Sequence, residues 1–292
     1  MRIGVHVVRY DYPGGTSAIA PTLERVGTAV EESGLDNLSV MDHYWQMIPI
    51  GGPELNMLEG YTTLGFLAAH TKSVELQLLV SGTTYRHPGL LAKIVSTLDV
   101  LSGGRAVLGL GAAWYQEEHE GLGVPFPATS ERFERLEETL QIVRQMWSEE
   151  QGPYDGTHFQ LQRTLNLPQP IRTPPIMIGG AGERKTLRLV AKYADACNLF
   201  ASPGERGVEH VQHKLDVLKK HCDNEGTDYD RLRKTILYPL HDPSSDAQAF
   251  VEQMRAFAGV GIDEVHVMPP DNDPVGYIEG LGKHVVPGLQ GI

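Results

Sequence analysis

Val74–Trp114, VELQLLVSGTTYRHPGLLAKIVSTLDVLSGGRAVLGLGAAW, decides the fold. An apolar run from Leu76 to Val80 ends in Ser81-Gly82, and a helical segment opens at Pro88 and closes near Leu101. Ser102-Gly103-Gly104 breaks that segment, and a second apolar run, Ala106 to Leu110, ends in Gly111. Strand, helix and strand within about forty residues form the pattern of a parallel sheet with a crossover helix. Pro88 suits the first turn of a helix, where its missing N–H costs nothing. Both strands end in small residues, Ser81-Gly82 and Gly111-Ala112-Ala113, which lets a flat ligand approach the backbone.

Working outward, the same alternation covers the rest of the chain. Arg2 to Val8 reads as a buried strand, Pro21 to Ser33 as an amphipathic helix closed by Gly34, and Asn37 to Met41 as a second strand. A long loop with Gly51-Gly52-Pro53 leads to a helix from about Gly60 to Ala69. After the central unit, Ser130 to Trp147 reads as a charged helix capped by Ser130 with Phe133-Glu134 behind it. Gly152 to Pro175 reads as an inserted hairpin and loop, because Tyr154-Asp155-Gly156 and its prolines oppose a helix. Strands follow at Pro175 to Ile178, Asp195 to Leu199, Thr235 to Leu240 and Ile262 to Met268. Helices follow them at Glu183 to Tyr193, Val208 to Glu225, Ser245 to Ala258 and Pro274 to Val286. Eight βα units in a chain of this length imply a (β/α)8 TIM barrel as one domain, residues 1–292. A doubly wound open sheet is the alternative, but the N-terminal phosphate loop it usually carries is missing.

Composition narrows the function. The 292 residues are 41% hydrophobic and 21% charged, as in ordinary globular proteins. No apolar run approaches a membrane span, and no basic-then-apolar leader opens the chain, so a cytoplasmic protein is expected. Two cysteines, Cys197 and Cys222, oppose a disulfide framework and a zinc site. A net charge of −12 speaks against nucleic acid as a partner.

In a barrel the active site lies at the C-terminal strand ends. These nominate His6 or Val8, Asp42-His43, Ser81-Gly82, Gly111-Ala112-Ala113, Gly179 to Gly182, Asn198, and His266 or Met268. Gly179-Gly180-Ala181-Gly182 follows a strand and opens a helix, so its backbone N–H groups and the helix N-terminus suit a phosphate. Arg184, Lys185 and Arg188 make that neighbourhood locally positive. The bland reading is a turn needed only for chain reversal, and the place after a barrel strand favours phosphate. His43 is the candidate for proton transfer, since histidine titrates near neutrality. Asp42 either bonds a backbone amide or orients that histidine; a solvated loop histidine is the competing reading of His43. His6 reads as a satisfied core histidine. Trp45 and Trp114 stack on a ring or pack a loop, and Arg86 meets an anion or forms an ion pair. Glu117, Glu118, His119 and Glu120 read as a solvated loop, because their spacing makes no metal set. No hydrolase elbow, Walker loop or H-E-x-x-H is present.

Asp42-His43, TYRHPGLLAKIVSTLDVLSGGRAVLGLGAAW and PPIMIGGAGERKTLRLVAKYADACN resemble the flavin- and deazaflavin-dependent oxidoreductases of the bacterial luciferase-like superfamily. The resemblance implies a barrel with an insertion, a homodimer, and a flavin-type ring across the strand ends. It implies a non-prolyl cis bulge within Leu78-Leu79-Val80 backing that ring, with Ser81, Gly111 and Ala112 beside it. It places the phosphate on Gly179-Gly180-Ala181-Gly182 with Arg184 nearby, and acid/base work or substrate contact on His43. Trp114 stands where a sugar-phosphate dehydrogenase of the deazaflavin branch has a proton-donating glutamate, so that substrate is not implied. The expected activity is hydride transfer between coenzyme F420 and a small organic substrate. The alternatives are a monooxygenase using reduced FMN and dioxygen, and a flavin-binding carrier without chemistry.

Overall fold

In the computed structural model, which describes residues 1–238 and 242–292, strands and helices alternate along the chain. β1 (Arg2–Val7) precedes α1 (Ile19–Glu32), and β2 (Asn37–Val40) precedes α2 (Gly60–Ala69). β3 (Glu75–Leu78) and its continuation β4 (Ser81–Gly82) lead to α3 (Pro88–Ser102). β5 (Ala106–Gly111) is followed by α4 (Gln116–Leu122), α5 (Thr129–Met146) and an antiparallel hairpin of β6 (Tyr154–Asp155) and β7 (Gln160–Leu161). Then come β8 (Ile176–Gly179), α6 (Thr186–Tyr193), β9 (Ala196–Phe200) and α7 (Glu205–Glu225). β10 (Arg233–Leu237), α8 (Ala247–Gly259), β11 (Glu264–Val267), α9 (Pro274–His284) and α10 (Val286–Leu289) complete the chain.

The strands pair in the order β3-β2-β1-β11-β10-β9-β8-β5-β4, and β3 also pairs with β5, which closes the sheet. β3 and β4 are halves of one strand, so the nine strands make eight parallel staves among the described residues. The fold is a (β/α)8 TIM barrel. β2, β3 and β5 are buried along their whole length; β5 reads as a continuous apolar run, whereas in β2 and β3 Leu38, Val40, Leu76 and Leu78 alternate with buried polar residues. α3 shows the matching helix logic. Pro88 occupies its first turn, the His87 ring accepts from Gly89 N–H, and Gly103 ends it in the left-handed conformation at φ 73°. Leu91, Val95 and Leu98 face the sheet, each burial stabilising by about 1.5–3 kcal/mol.

The expected strand Leu76 to Val80 is interrupted: the Leu79–Val80 peptide is cis, and pairing resumes at Ser81. The displaced Val80 side chain presses on neighbouring strand ends, where a Cβ at Gly111 or Gly179 would lie 2.9 Å from its Cγ2. Glycine is required there by a side chain from another strand.

Several boundaries differ from those read in the sequence. Ser130 does not cap α5; Ala128 holds that position without a side-chain cap, and Ser130 lies inside the first turn. α6 starts at Thr186, three residues after Glu183, because the glycine loop runs on before the helix winds. The strand expected to reach Leu240 is described to Leu237, and Leu240 itself lies outside the described residues. At the N-terminal end of the barrel Glu75 and Glu264 are clasped by Arg2 and Arg233, with contacts of 2.6–3.2 Å. That face is built for stability. Among the described residues no helix is long and apolar enough to cross a membrane.

Candidate active site

A cavity of about 590 Å³ opens at the C-terminal strand ends. Its wall includes Asp42, His43, Leu79, Val80, Ser81, Gly111, Ala112, Gly179 and Gly180, so nine of the residues singled out in the sequence meet in one space. Ala181, Gly182 and Arg184 lie beyond its edge, on the loop that returns to the cavity at Thr186. His6, Val8, Asn198 and Met268 also line it, whereas His266 is wholly buried beneath. Trp114 lines the mouth and stacks on Tyr115 at 5.1 Å. Trp45 instead packs against α4, where a Cβ on Gly121 would sit 1.9 Å from its ring.

Asp42 is a structural hub. Its carboxylate accepts from Ser81 Oγ and Gly82 N–H, both at 2.9 Å, and from both terminal nitrogens of Arg86 at 2.7 and 2.9 Å. Arg86 also reaches Glu59 at 2.5 Å, which settles its two sequence readings in favour of an ion pair. Burial works against the guanidinium charge, but Asp42 more than compensates and holds its pKa above the ordinary value. The end of β2 is thereby tied to the restart of the third strand after Val80.

Glu118, like Arg132 and Thr186 of the cavity wall, is a candidate site residue that sequence reading missed. The run Glu117–Glu120 is not a solvated loop: it is α4, and Glu118 and His119 are fully buried. One Glu118 oxygen accepts from Tyr44 N–H at 2.5 Å and Trp45 N–H at 2.7 Å. The other accepts from His43 Nδ1 at 3.3 Å and from the Tyr85 hydroxyl. Burial alone would raise its pKa, but the bonds from His43 and Tyr85 overcome it and keep Glu118 below the usual carboxylate range. An ionised Glu118 fixes His43 with Nδ1 protonated and leaves Nε2 as the free nitrogen at the cavity wall. Trp114 and Tyr115 meet the imidazole edge-on at 5.8 and 5.6 Å, which limits its movement. The available signal was Gly121 one turn of chain further on, needed so that Trp45 could lie against a helix.

The glycine loop differs in detail from the sequence reading. Gly180 has φ 120°, and its N–H is not free, because it extends the sheet to Asn198 O at 3.0 Å. The N–H groups of Ala181, Gly182, Glu183 and Arg184 have no partner among the described residues. Arg132 of α5 lines the cavity beside Thr129, donating to Ala113 O at 2.7 Å and Thr129 Oγ1 at 3.0 Å. Its Nε is buried without a hydrogen-bond partner among the described residues. Lys185 lies over the Phe133 ring at 5.4 Å, so this loop and the start of α5 adjoin. Arg188 is paired with Glu225 at 2.7 Å, which leaves Arg184 and Lys185 as the exposed cations beside the loop.

A slot floored by small residues and Val80, a row of unpaired N–H groups, an orphaned buried guanidinium nitrogen and a carboxylate-held histidine fit a flat ring bearing a phosphate. The arrangement is that of a barrel oxidoreductase built around a flavin-type cofactor. Residues 2–279 match the luciferase-like monooxygenase family, and the chain belongs to it. It is 30% identical to an F420-dependent glucose-6-phosphate dehydrogenase of Microbacterium testaceum over 250 residues, 83% of this chain and 72% of that one. It is also similar in structure to an F420-dependent secondary alcohol dehydrogenase in complex with an F420-acetone adduct. That likeness has TM-score 0.80 and 16% identity, over 99% of this chain and 98% of the other. A long-chain alkane monooxygenase matches with TM-score 0.82 and 14% identity, over 99% and 91%.

Proposed function

We propose that the chain is an oxidoreductase that moves a hydride between coenzyme F420 and a small organic substrate, with His43 handling the proton. The observation that carries this reading is the His43–Glu118 pair on the wall of the same cavity that ends in the unpaired N–H row. When bound, the deazaflavin gives or takes the hydride at the carbon that replaces a flavin ring nitrogen. Leu79, Val80, Ser81, Gly111 and Ala112 back the ring. Ala181, Gly182, Thr186 and Arg132 receive its phosphate, and Gly179 and Gly180 give it room. Arg184, with Lys185, meets the acidic tail outside. Asp42 serves the site by fixing Ser81 and Gly82. His43 Nε2 takes the proton of a substrate hydroxyl during oxidation and returns it during reduction.

Two supports come from outside the geometry: the relative named above is F420-dependent, and so is the alcohol dehydrogenase sharing the fold. The substrate is neutral and partly apolar in this reading. Met41, Met47, Ile50 and Trp114 line the cavity, and Arg132, its one basic lining residue among those described besides histidine, is committed to the cofactor phosphate. The same proposal takes the whole chain as one barrel with the hairpin as an insertion, in the cytoplasm, as a homodimer. Exposed Leu90 and Leu101 on α3 and Leu167 beside it support a second copy there.

The test is turnover: F420 and a panel of alcohols, aldehydes and sugar phosphates, followed by loss or gain of the oxidised ring's absorbance. Consumption of a neutral substrate supports the proposal. Saturable binding without consumption of any substrate makes the chain a carrier, and oxygen-dependent turnover of reduced FMN makes it a monooxygenase.

A further inference from the structure

His6 was expected to be a satisfied core histidine, and the structure satisfies only half of it. Its Nδ1 lies 3.0 Å from Ser39 Oγ, deep in the barrel. The Ser39 hydroxyl has a single proton, and Val5 O lies within its reach at 3.3 Å. With that proton directed to Val5 O, Ser39 Oγ meets the ring as an acceptor, Nδ1 carries the ring proton and Nε2 is left as a bare lone pair, the tautomer assigned below. Among the described residues Nε2 has no protein partner; it is not one of the enclosed orphan atoms, which include both nitrogens of His266, and it belongs to a residue lining the cavity. It opens on that space.

Position gives this lone pair a use. Going round the closed barrel, β1 is four staves from β8 in either direction, so His6 faces the glycine loop across the mouth. A ligand anchored by its anionic group at that loop presents its other end to His6. Val8, Met41, Leu79, Leu237 and Met268 line the cavity at nearby strand ends, and among the described residues no protein donor bonds Nε2.

We propose that His6 Nε2 is a fixed hydrogen-bond acceptor in the cavity, receiving a neutral N–H or O–H of the ligand and turning oxyanions away from that end. The assignment rests on the cavity holding a cofactor and substrate as proposed above; its role is positioning, and His43 keeps the proton chemistry. Burial first, then the adjacent His266 and the more distant His43, push the His6 pKa down to about 3, so the ring stays neutral at working pH. A lone pair facing a carboxylate or phosphate oxygen repels it, whereas a ring imide N–H or a substrate hydroxyl completes it.

Nitrogen-15 NMR of histidine-labelled protein reads the tautomer directly, with His6→Leu identifying the resonances. The expected result is Nδ1 protonated and Nε2 bare, with the Nε2 resonance moving when its donor arrives. Titrating F420 alone, then F420 with isopropanol, separates a ring N–H from a substrate hydroxyl as that donor. His6→Gln, which keeps an acceptor, should hold the affinity of the responsible ligand within about threefold, and His6→Leu should weaken it about tenfold. The loss falls on F420 affinity if the ring is the donor, and on the alcohol KM if the substrate is. A proton on Nε2 in the free protein overturns the inference whatever binds. So does an unmoved Nε2 resonance while ring fluorescence shows a saturated site. If F420 does not bind at all, the cofactor reading fails separately, and an Nε2 unmoved by isopropanol alone then overturns this one.

Discussion

Glu118→Gln is the substitution that most sharply separates a positioned histidine from a merely nearby one. In the wild type one Glu118 oxygen serves two backbone amides, and the other serves His43 Nδ1 and the Tyr85 hydroxyl. A glutamine with its oxygen on the amides points an NH2 group at two donors. Tyr85 can rotate its hydroxyl, but His43 must move its proton to Nε2 to accept from the amide, and the nitrogen at the cavity becomes a donor. Charge-assisted bonds of about 1.5–3 kcal/mol are replaced by neutral ones of about 1 kcal/mol, so the fold should lose roughly 1–3 kcal/mol. Turnover should fall about a hundredfold or more, since positioned proton transfer contributes that much, while F420 affinity changes by less than about threefold. The stability loss has a pH signature. Glu118 is held below its ordinary value near 4.5, so its contribution is full above that pH and disappears as pH falls through the lower folded value. Wild type and variant should therefore differ most in urea midpoint at neutral pH and converge in acid. Turnover within about threefold of wild type, with an unchanged pH–rate profile, would refute the orienting role.

Other outcomes follow from the same geometry. His43→Ala should lower turnover about a hundredfold or more and leave F420 affinity nearly intact, checked by steady-state kinetics against fluorescence titration. Gly179→Ala puts a Cβ 2.9 Å from Val80 Cγ2, and overpacking of this kind should cost about 1–3 kcal/mol in chemical denaturation. Arg86→Met strands the buried Asp42 carboxylate and should destabilise by about 3–5 kcal/mol, with loss of ring binding as the Ser81–Gly82 segment loosens. Glu31 accepts from the amides of Lys72, Ser73 and Val74 and from Ser73 Oγ. These bonds outweigh its partial burial and bring its pKa down to about 2. Its stabilisation is complete above about pH 4.5 and lost as pH falls toward 2, so Glu31→Gln should flatten that acid limb in thermal unfolding.

How much of this was legible in the sequence depends on the range of the interaction. The closed barrel was readable because buried parallel strands can write continuous apolar runs, as at Ala106 to Leu110, and because Pro88 and Gly103 punctuate α3 locally. The cavity wall was readable wherever a residue follows a strand end, as Asp42, His43, Ser81, Gly111 and Gly179 do. Glu118 was not, because three of its four partners lie more than seventy residues away and a buried carboxylate looks the same in sequence as a solvated one. Gly180 was half read: a glycine loop was evident, but its N–H was committed to Asn198 on the next strand. The surroundings of His6 were hidden for a similar reason. That Ser39 lies opposite His6, within reach of both its Nδ1 and Val5 O, is a fact of strand register.

The central claim is the identity of the ring, and side-by-side titration of the apo-protein with F420 and FMN tests it most directly. Both cofactors join a flat tricyclic ring to a phosphate, but only F420 carries a carboxylate tail for exposed Arg184 and Lys185. Surface contacts of that kind are screened over about 8 Å at physiological ionic strength, so F420 affinity should fall with salt. The account predicts tighter binding of F420 than of FMN at low salt, with the gap narrowing at high salt. Tight FMN binding with no measurable F420 binding would contradict it and make the chain a monooxygenase.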